Sequence, residues 1–534
     1  MEPWDMTLHI RYRMLEAEPH SASLGIRGET LLFGRDSICA VVAEPSAARM
    51  LHALKRALKG SKTVEIRLDW LENQTKSENI IGHLKRLSLR KKRACLIATL
   101  RRREGGGRFT GSVAEQMALL ENAARAGCRW CDLELESAAR VDRQAIQALR
   151  KTRARVMISF HDFRGTPANI EGVTRRLASF GGDAIKIAAL ANSLGDATRL
   201  LAVARRRRNL VAVPMGEIGL PGRILALREG SSLAYAAVSD STAPGQLSVE
   251  EMRDLYRADR LDRRTRIYGV IGDPIGHSLS PQMHNAAFVA RRVNAVLLPF
   301  QVRDLKDFIG AREDLGMSGF AVTLPHKQRI LRYLDGCDPL AAQIGAVNTV
   351  VVRGGGKLYG YNTDYVGVLR AVERRVRLAG SRVLLLGAGG AARAAAFALR
   401  EAGAIVNICA RRPRMAKALA RAAGAEVIAR PRLRGEFFDA VINATPVGMK
   451  KSDGSPLRAS ELNCRVVMDM IYRPMETPLL RMARRRGIET VSGVEMFLAQ
   501  GAAQWEIWMG ERAPEKIMRR TVLAALQHEG SGKK

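Results

Sequence analysis

The chain is poor in aromatic residues, which make up 5% of its 534 residues, and it has only seven cysteines. These cysteines form neither a disulfide-like nor a zinc-like pattern. The one CxxC pair, Cys128 and Cys131, has no second pair and no histidine partner beside it. This composition argues against a disulfide-stapled secreted domain and a zinc module. We expect a reduced, cytoplasmic environment and no bound metal.

Long apolar runs are also missing, since no stretch approaches the roughly 18 residues needed to span a bilayer. The first residues lack the charged, apolar and small-residue zones of a signal peptide. Acidic residues such as Glu2, Asp5 and Glu16 argue against a transit peptide. We therefore expect a soluble protein without a membrane partner.

Acidic residues are scarce beside basic ones, with 53 Asp and Glu against 86 Lys and Arg and a formal net charge of +33. A concentrated basic face would capture nucleic acid. Here the arginines are scattered in short runs, such as 205–208 and 484–486, and no aromatic stacking motif accompanies them. The pattern favours a solvated basic surface that serves acidic metabolites over a dedicated nucleic-acid-binding protein.

The chain is too long for one core and predicts two to four domains, with residues 1–36 unassigned. Helix-compatible segments alternate with eight strand-like runs over the first half. This alternation predicts an α/β fold that starts with a (β/α)₈ TIM barrel at residues 37–257, with its chemistry at the carboxyl ends of the strands. The predicted strands start at residues 37, 63, 94, 129, 154, 183, 209 and 232.

Lys186 stands out in the sixth of these runs. Alternation along a strand places Lys186 on the same side as Ala184 and Ala188, with Ile185 and Ile187 on the other side. Small neighbours leave room for a lysine inside the barrel. Burial there would lower its pKa and yield a neutral amine able to form a Schiff base with a ketone. The alternative is a lysine that extends to the barrel mouth.

Four motifs in this half carry a resemblance: FHDF around His161, AIKIAAL around Lys186, VEIRLDW around Arg67 and APGQ ending at Gln246. They resemble the type I 3-dehydroquinate dehydratases over roughly residues 37–257. The resemblance implies that Lys186 forms an imine with the substrate ketone and that His161 shuttles protons. It further implies that Glu104 assists the histidine. The substrate ligands it implies are Glu65, Arg67, Arg101, Arg223, Thr242 and Gln246.

The sequence departs from that family at two places. The segment TLRRREGGG is one residue shorter between its arginine and its glutamate than in some members, so Arg101 and Arg102 both remain candidates. Thr242 stands where serine is common.

Residues 382–412 form an apolar strand, a glycine turn, an alanine-rich helix and a second strand. Gly387 permits the tight turn, and Gly389 lets the backbone approach a pyrophosphate at the helix N-terminus. Arg411 and Arg412 follow the second strand, where an NAD-binding unit would place an acidic residue, and they favour the 2′-phosphate of NADP. The alternative is a glycine turn in an unrelated α/β unit. The predicted cofactor-binding residues are Gly387, Ala388, Gly389, Gly390, Ala391, Arg411, Arg412, Asn443 and Thr445.

The second half contains HSLSP, GFAVTLPHK, AVNTVV, GYNTD, NATPVGM, DMIY and EMFLAQGAAQW. These motifs resemble shikimate dehydrogenases over residues 266–534. The resemblance implies that Lys327, with Asp364 beside it, donates the proton when a ketone is reduced with NADPH. Asp364 could instead merely cap the following helix. The substrate contacts it implies come from Ser278, Ser280, Thr323, Asn348, Tyr472 and Gln500.

The predicted organisation places a linker after the barrel and a two-lobed α/β module after the linker. Each half carries its own catalytic set, so we expect the two activities to be separable. The bounds are 258–265 for the linker, 266–364 plus 494–534 for the substrate lobe and 365–493 for the NADP-binding Rossmann lobe.

The two resemblances imply consecutive reactions, the dehydration of 3-dehydroquinate to 3-dehydroshikimate and the reduction of that ketone to shikimate. One rival is a Schiff-base aldolase-like lyase joined to a quinate-type dehydrogenase. Arg67, Arg223 and APGQ argue against its first half, and the serine pair argues against its second. A basic nucleic-acid-binding scaffold with inactive sites would need broken catalytic positions, and the sequence has none. The sequence does not indicate the oligomeric state.

Overall fold

A computed structural model describes residues 32–33, 36–72, 81–82, 94–238, 245–450 and 452–531. The described residues form three β-sheets, one of eight strands and two of six. The fold is α/β, with an N-terminal barrel followed by a two-lobed module. Within the same residues, no helix is both long and apolar enough to cross a bilayer.

The barrel strands are all parallel, and each strand from β1 to β6 pairs with the next. β8 pairs back with β1, and the Ser232 N–H donates to the Leu210 carbonyl (2.9 Å) between β7 and β8. Every strand starts within two residues of its predicted start. The strands are β1 Ile38–Val42, β2 Thr63–Arg67, β3 Cys95–Thr99, β4 Trp130–Glu134, β5 Arg155–Asp162, β6 Ala184–Leu190, β7 Leu210–Met215 and β8 Ala234–Ala237.

Helices connect these strands on the outside of the barrel. Several of them begin at side chains that satisfy free backbone N–H groups: Ser112 and Ser193, for example, each form a capping box. The helices are α1 Ala47–Gly60, α2 Val113–Arg125, α3 Leu135–Ala138, α4 Arg143–Lys151, α5 Ile170–Ser179, α6 Leu194–Arg206 and α7 Gly216–Leu225.

The alternation predicted for β6 is confirmed. Ala184 and Ala188 belong to the cluster that fills the barrel interior with Trp130. Ile185 and Ile187 belong to the larger cluster that packs between the strands and the surrounding helices. Lys186 therefore points into the barrel.

The substrate lobe contains a mixed sheet in the order β10-β9-β11-β13-β14-β12, in which β13 is antiparallel to both neighbours. The strands are β9 Arg266–Gly272, β10 Ala295–Gln301, β11 Met317–Val322, β12 Gly336–Cys337, β13 Thr349–Val352 and β14 Leu358–Tyr361. The helices are α8 Ser280–Ala290, α9 Leu305–Ala311, α10 Pro339–Ile344, α15 Gly493–Met509 and α16 Glu515–Ser531. Helix α11, Asp364–Val372, follows β14 and buries Val368 and Val372 in the apolar cluster of the second lobe.

The second lobe is a parallel sheet in the order β17-β16-β15-β18-β19-β20, the doubly wound arrangement of a Rossmann domain. Its alanine-rich helix α12 buries Ala392, Ala395 and Ala396, whose small side chains allow close packing. The strands are β15 Arg382–Leu386, β16 Ile405–Cys409, β17 Glu426–Val427, β18 Phe438–Asn443, β19 Cys464–Asp469 and β20 Glu489–Val491. The helices are α12 Gly390–Glu401, α13 Pro413–Ala423 and α14 Pro478–Arg485.

The barrel and the substrate lobe share one apolar core. Apolar residues on the outer face of the barrel strands and on the surrounding helices belong to the same cluster as Phe300 and Phe308 of the substrate lobe. The carboxylate of Asp307, in α9, accepts the N–H groups of Leu194 (2.7 Å) and Gly195 (3.2 Å) at the start of barrel helix α6. The predicted linker begins in a 3-10 turn with Ala258 buried. The two modules are therefore packed against each other.

We expect pieces covering residues 1–265 and 266–534 each to keep one reaction, because each carries its own set of candidate catalytic residues. Each piece should unfold at a lower temperature than the full chain, since the cut exposes apolar faces and removes the Asp307 cap, worth about 1 kcal/mol. Thermal unfolding and the two assays measure this. A dehydratase piece that folds but turns over only when the other piece is added would contradict the expectation.

Candidate active sites

The barrel holds a buried lysine among groups of opposite charge. Lys186 is 4% exposed, and its Nζ lies 2.7 Å from Asp132 Oδ2 and 3.3 Å from Glu65 Oε1. The Tyr235 hydroxyl lies 3.4 Å from the same nitrogen, and its ring centroid lies 4.5 Å from it. The prediction for Lys186 rested on small neighbours alone, whereas the structure adds two carboxylates and a phenol.

Asp132 is the buried carboxylate at the centre of this site. It pairs with Lys186 and with Arg101 (3.1 Å) and accepts the Ser159 hydroxyl. Burial would raise the pKa of Asp132, but the charges of Lys186 and Arg101 outweigh burial and lower it to about 2. Asp132 is not among the residues predicted from the sequence. The alternation that placed Lys186 inside the barrel, applied to β4, would have indicated it.

His161, at the end of β5, faces the Arg101 guanidinium. Nη1 of Arg101 lies 2.6 Å from the histidine Nε2 and also contacts Nδ1. A guanidinium has no acceptor, so the ring nitrogen that it meets must carry a lone pair. Burial and the charges of Arg101 and Lys186 lower the pKa of His161 well below 6.5. His161 is therefore neutral near pH 7 and able to accept a proton.

The structure distinguishes the two candidate arginines. Arg101 is buried beside His161, whereas Arg102 turns away and donates from Nε to Glu104 (3.0 Å). The Glu104 side chain is 52% exposed and also pairs with Arg140 (3.8 Å). The structure thus does not bring Glu104 to His161. In this short loop, the 3-10 turn Arg103–Gly105 directs Glu104 outward.

The other predicted ligands of the barrel site lie on or after its strands. Arg67 makes a two-pronged pair with Asp69 (2.8 and 2.9 Å), which outweighs burial and raises the pKa of Arg67. Arg223 is buried, and burial lowers its pKa to about 10. Gln246 is part-buried after β8, and Thr242 lies outside the described residues.

The second lysine site is at the boundary of the two lobes. Lys327 Nζ lies 2.5 Å from Asp364 Oδ2, and the Asn348 amide donates to Asp364 Oδ1 (2.9 Å). Asp364 is the first residue of α11 and makes no side-chain cap there. Its carboxylate binds Lys327 and Asn348, so it orients the lysine instead of capping the helix.

Gln504 supports this arrangement and was also missed. Its Nε2 donates to Thr349 Oγ1 (3.0 Å) and to the Asn348 carbonyl (3.3 Å), while the Thr349 hydroxyl donates to Asn348 Oδ1 (2.8 Å). Gln504 lies one helical turn after Gln500 in α15, so helical spacing from a predicted ligand was the available signal.

The remaining predicted substrate ligands follow neighbouring elements of the lobe. Ser278 and Ser280 follow β9, where the Ser278 hydroxyl accepts the Ser280 N–H (3.3 Å), and Thr323 follows the adjacent strand β11. Tyr472 stacks on Phe497, with centroids 4.4 Å apart. Gln500 is buried and donates to the Phe497 carbonyl (2.9 Å).

The glycine turn of the Rossmann lobe lies next to Lys327. Gly387 has φ +112°, and a Cβ there would lie 3.0 Å from the Ala444 carbonyl. A Cβ on Gly389, the N-cap of α12, would meet open space, which leaves its backbone accessible to a pyrophosphate. A Cβ on Gly390 would lie 3.2 Å from Lys327 Cβ. Together with the part-buried Ala388 and Ala391, this turn fits a dinucleotide.

Arg411 and Arg412 are exposed just beyond β16, and Arg412 contacts the Met415 sulfur (3.4 Å). Asn443 ends β18 and accepts the Thr445 hydroxyl (2.7 Å), while its amide donates to Asp469 (3.0 Å). The arginine pair follows β16, and Asn443 and Thr445 lie at the end of β18. Both strands are neighbours of β15, so these residues lie at the carboxyl edge where such sheets bind nucleotides.

Comparison with known proteins divides the chain in the same way. Residues 38–263 match the family model for type I 3-dehydroquinase. Residues 270–350 match the shikimate dehydrogenase substrate binding domain, and residues 493–523 match the shikimate 5'-dehydrogenase C-terminal domain. The chain therefore combines a lyase barrel with an oxidoreductase module.

Relatives identify the family. A bifunctional 3-dehydroquinate dehydratase/shikimate dehydrogenase of Arabidopsis thaliana, described as chloroplastic, is 33% identical over 524 residues, covering 93% of this chain and 86% of the relative. The chain belongs to the family of bifunctional 3-dehydroquinate dehydratase/shikimate dehydrogenases.

Two further proteins match the second half alone. A shikimate dehydrogenase (NADP(+)) of Symbiobacterium thermophilum is 45% identical over 281 residues, which are 49% of this chain and 95% of that protein. The crystal structure of a Thermus thermophilus shikimate 5-dehydrogenase with NADP(H) and shikimate is 36% identical. It covers 49% of this chain and 100% of its own, with a TM-score of 0.46.

Replacing Asp132 by Asn should lower the dehydratase kcat/KM by about ten- to a hundredfold, the range expected for lost charge-assisted hydrogen bonds. It leaves Lys186 and Arg101 buried with less opposite charge, so the melting temperature should also fall. Asp183→Asn is the matched control. Asp183 lies just before the amino end of β6, where its carboxylate accepts the Val156 N–H (2.8 Å) and makes no contact with Lys186. Equal effects of the two variants on dehydratase turnover would contradict a role for Asp132.

The acid limb of the dehydratase kcat/KM profile should lie below pH 6.5, because the lowered pKa keeps His161 unprotonated to more acidic pH. Arg101→Gln removes a positive charge beside the ring and should move this limb to higher pH. The measurement is a pH–rate profile of each variant. A wild-type limb at or above pH 6.5, or no shift in Arg101→Gln, would be inconsistent with this account.

Proposed function

We propose that the barrel dehydrates 3-dehydroquinate to 3-dehydroshikimate through an imine on Lys186, and that the second module reduces this product to shikimate with NADPH. The observation that carries the proposal is the pairing of each lysine with a carboxylate: Lys186 with Asp132 beside a neutral His161, and Lys327 with Asp364 beside the glycine turn.

In the barrel, Lys186 passes a proton to the neutral His161, and its amine then adds to the substrate ketone. His161 returns this proton to the former ketone oxygen, which leaves as water and gives the positively charged imine. The positive imine withdraws electrons from the neighbouring carbon, so His161 can remove a proton from that carbon. The protonated His161 gives this proton to the hydroxyl group, which leaves as water as the double bond forms. A second water molecule then hydrolyses the imine and releases the product from Lys186. Arg67, Arg101 and Arg223 supply positive charge for the substrate carboxylate and hydroxyls.

In the second module, NADPH when bound supplies the hydride for the ketone carbon. Lys327 donates a proton to the developing oxygen anion, while Asp364 and Asn348 hold the lysine in place. Ser278 and Ser280 bind the substrate carboxylate, and Thr323, Tyr472 and Gln500 contact the rest of the ring. The Rossmann turn at Gly387–Ala391, with Asn443 and Thr445, binds the dinucleotide.

We further propose that the enzyme acts in the cytoplasm on small anionic substrates, without a nucleic-acid or membrane partner. The scatter of basic residues along the chain forms no concentrated face for nucleic acid, and the seven free cysteines suit a reducing compartment. The described residues contain no group of His, Cys, Asp and Glu side chains suited to a metal ion, and neither proposed reaction requires one.

Borohydride added with 3-dehydroquinate should inactivate the dehydratase and label a peptide containing Lys186, because the hydride reduces the imine to a stable amine. Lys186→Ala should lose dehydratase activity and labelling while retaining reduction of 3-dehydroshikimate. His161→Ala should lower turnover by about 10² to 10⁴ with a smaller effect on substrate binding. Peptide mapping and steady-state assays measure these effects, and a label on another lysine would refute the imine assignment.

Arg411→Ala should weaken NADPH binding roughly ten- to a hundredfold, the value of one charge-assisted hydrogen bond to the 2′-phosphate. Arg412→Ala should have a smaller effect of the same kind. NADH lacks that phosphate, so its KM should change little in either variant. The measurement is KM for both cofactors, and equal losses for NADH and NADPH would show that neither arginine binds the phosphate.

A further inference from the structure

A cavity of about 280 Å³ opens in the substrate lobe, and its lining includes none of the residues assigned above to either active site. One wall is the segment that follows β10, and the other is the segment 326–333, which includes Lys327. The lining residues are Arg303, Asp304, Leu305, His326, Arg329, Arg332 and Tyr333.

The cavity concentrates positive charge. Within the described part of the chain, the guanidinium groups of Arg303, Arg329 and Arg332 make no ion pair or hydrogen bond. Asp304 is the one carboxylate of the lining, and its Oδ1 already accepts the Lys306 N–H (2.9 Å) at the start of α9. Three guanidinium groups and one carboxylate leave a charge of +2 around the cavity. An anion would relieve this repulsion.

His326 adds a buried acceptor to the lining. The side chain is 1% exposed, and its Nε2 lies 2.7 Å from the Val302 carbonyl, which only a protonated Nε2 can bond. With the ring proton on Nε2, Nδ1 offers a lone pair, and Nδ1 has no partner among the described residues. A buried acceptor without a donor costs free energy, so a hydroxyl group at this position would stabilise it.

We propose that this cavity binds a small phosphorylated metabolite, with its phosphate held by Arg303, Arg329 and Arg332 and a neighbouring hydroxyl donating to His326. Planar guanidinium groups match phosphate oxygens two at a time, and a phosphate offers enough oxygens for three arginines. The substrates of the two reactions carry a carboxylate and no phosphate, so the site serves a different ligand.

The test is calorimetric titration of the full chain with glycerol 3-phosphate, a probe that carries a phosphate and neighbouring hydroxyls. Saturating NADP⁺ and shikimate occupy the dehydrogenase sites, and the buffer contains about 0.15 M salt to screen unspecific attraction. We expect submillimolar binding that weakens at least tenfold in the double variant Arg329→Ala/Arg332→Ala. Both arginines are exposed, so their loss should not unfold the protein.

The matched control is Arg143→Ala/Arg175→Ala, which removes the same charge from two exposed arginines on barrel helices. Unchanged binding in the control supports the site. Equal weakening in both double variants, or no binding at about 0.15 M salt, would overturn the proposal. Citrate is a second probe: if citrate binds as tightly as glycerol 3-phosphate and depends on the same arginines, the assignment to phosphate fails.

Discussion

A buried carboxylate is stable only if cations or hydrogen-bond donors lie against it, and inside the barrel Asp132 lies 2.7 Å from Lys186 Nζ. The same carboxylate binds Arg101, and Arg101 in turn faces His161. One buried aspartate therefore sets the position of the lysine directly and that of the histidine through the arginine. The rest of the barrel site is arranged around this chain of contacts.

The site between the two lobes also pairs a lysine with a buried aspartate, but different groups support the aspartate. Lys327 is held by Asp364, and the opposite oxygen of that carboxylate is fixed by Asn348. Thr349 and Gln504 then fix Asn348 from behind, so the support comes from neutral hydrogen bonds instead of a second cation. The site also borders the glycine turn of the other lobe, and its geometry depends on how closely the two lobes approach.

Much of this architecture follows from local sequence patterns. Strand positions and the inward direction of Lys186 could be predicted because alternation has a period of two residues whatever the surroundings. The outward turn of Glu104 could not, because it depends on how a shortened loop closes. The contact between the modules could not be predicted from the sequence either, because an apolar helix face has the same pattern whichever partner covers it. Asp307 is more than a hundred residues from the helix it caps.

That cap has a consequence for rearranging such proteins. An unrelated reductase joined to this barrel would leave the first N–H groups of α6 without the acceptor that Asp307 supplies. It would also leave uncovered the apolar surface that now meets the substrate lobe. Exchange of modules by recombination is thus limited to donors whose surface already carries a carboxylate at that point, and a designer of new fusions would have to transplant this contact together with the domain.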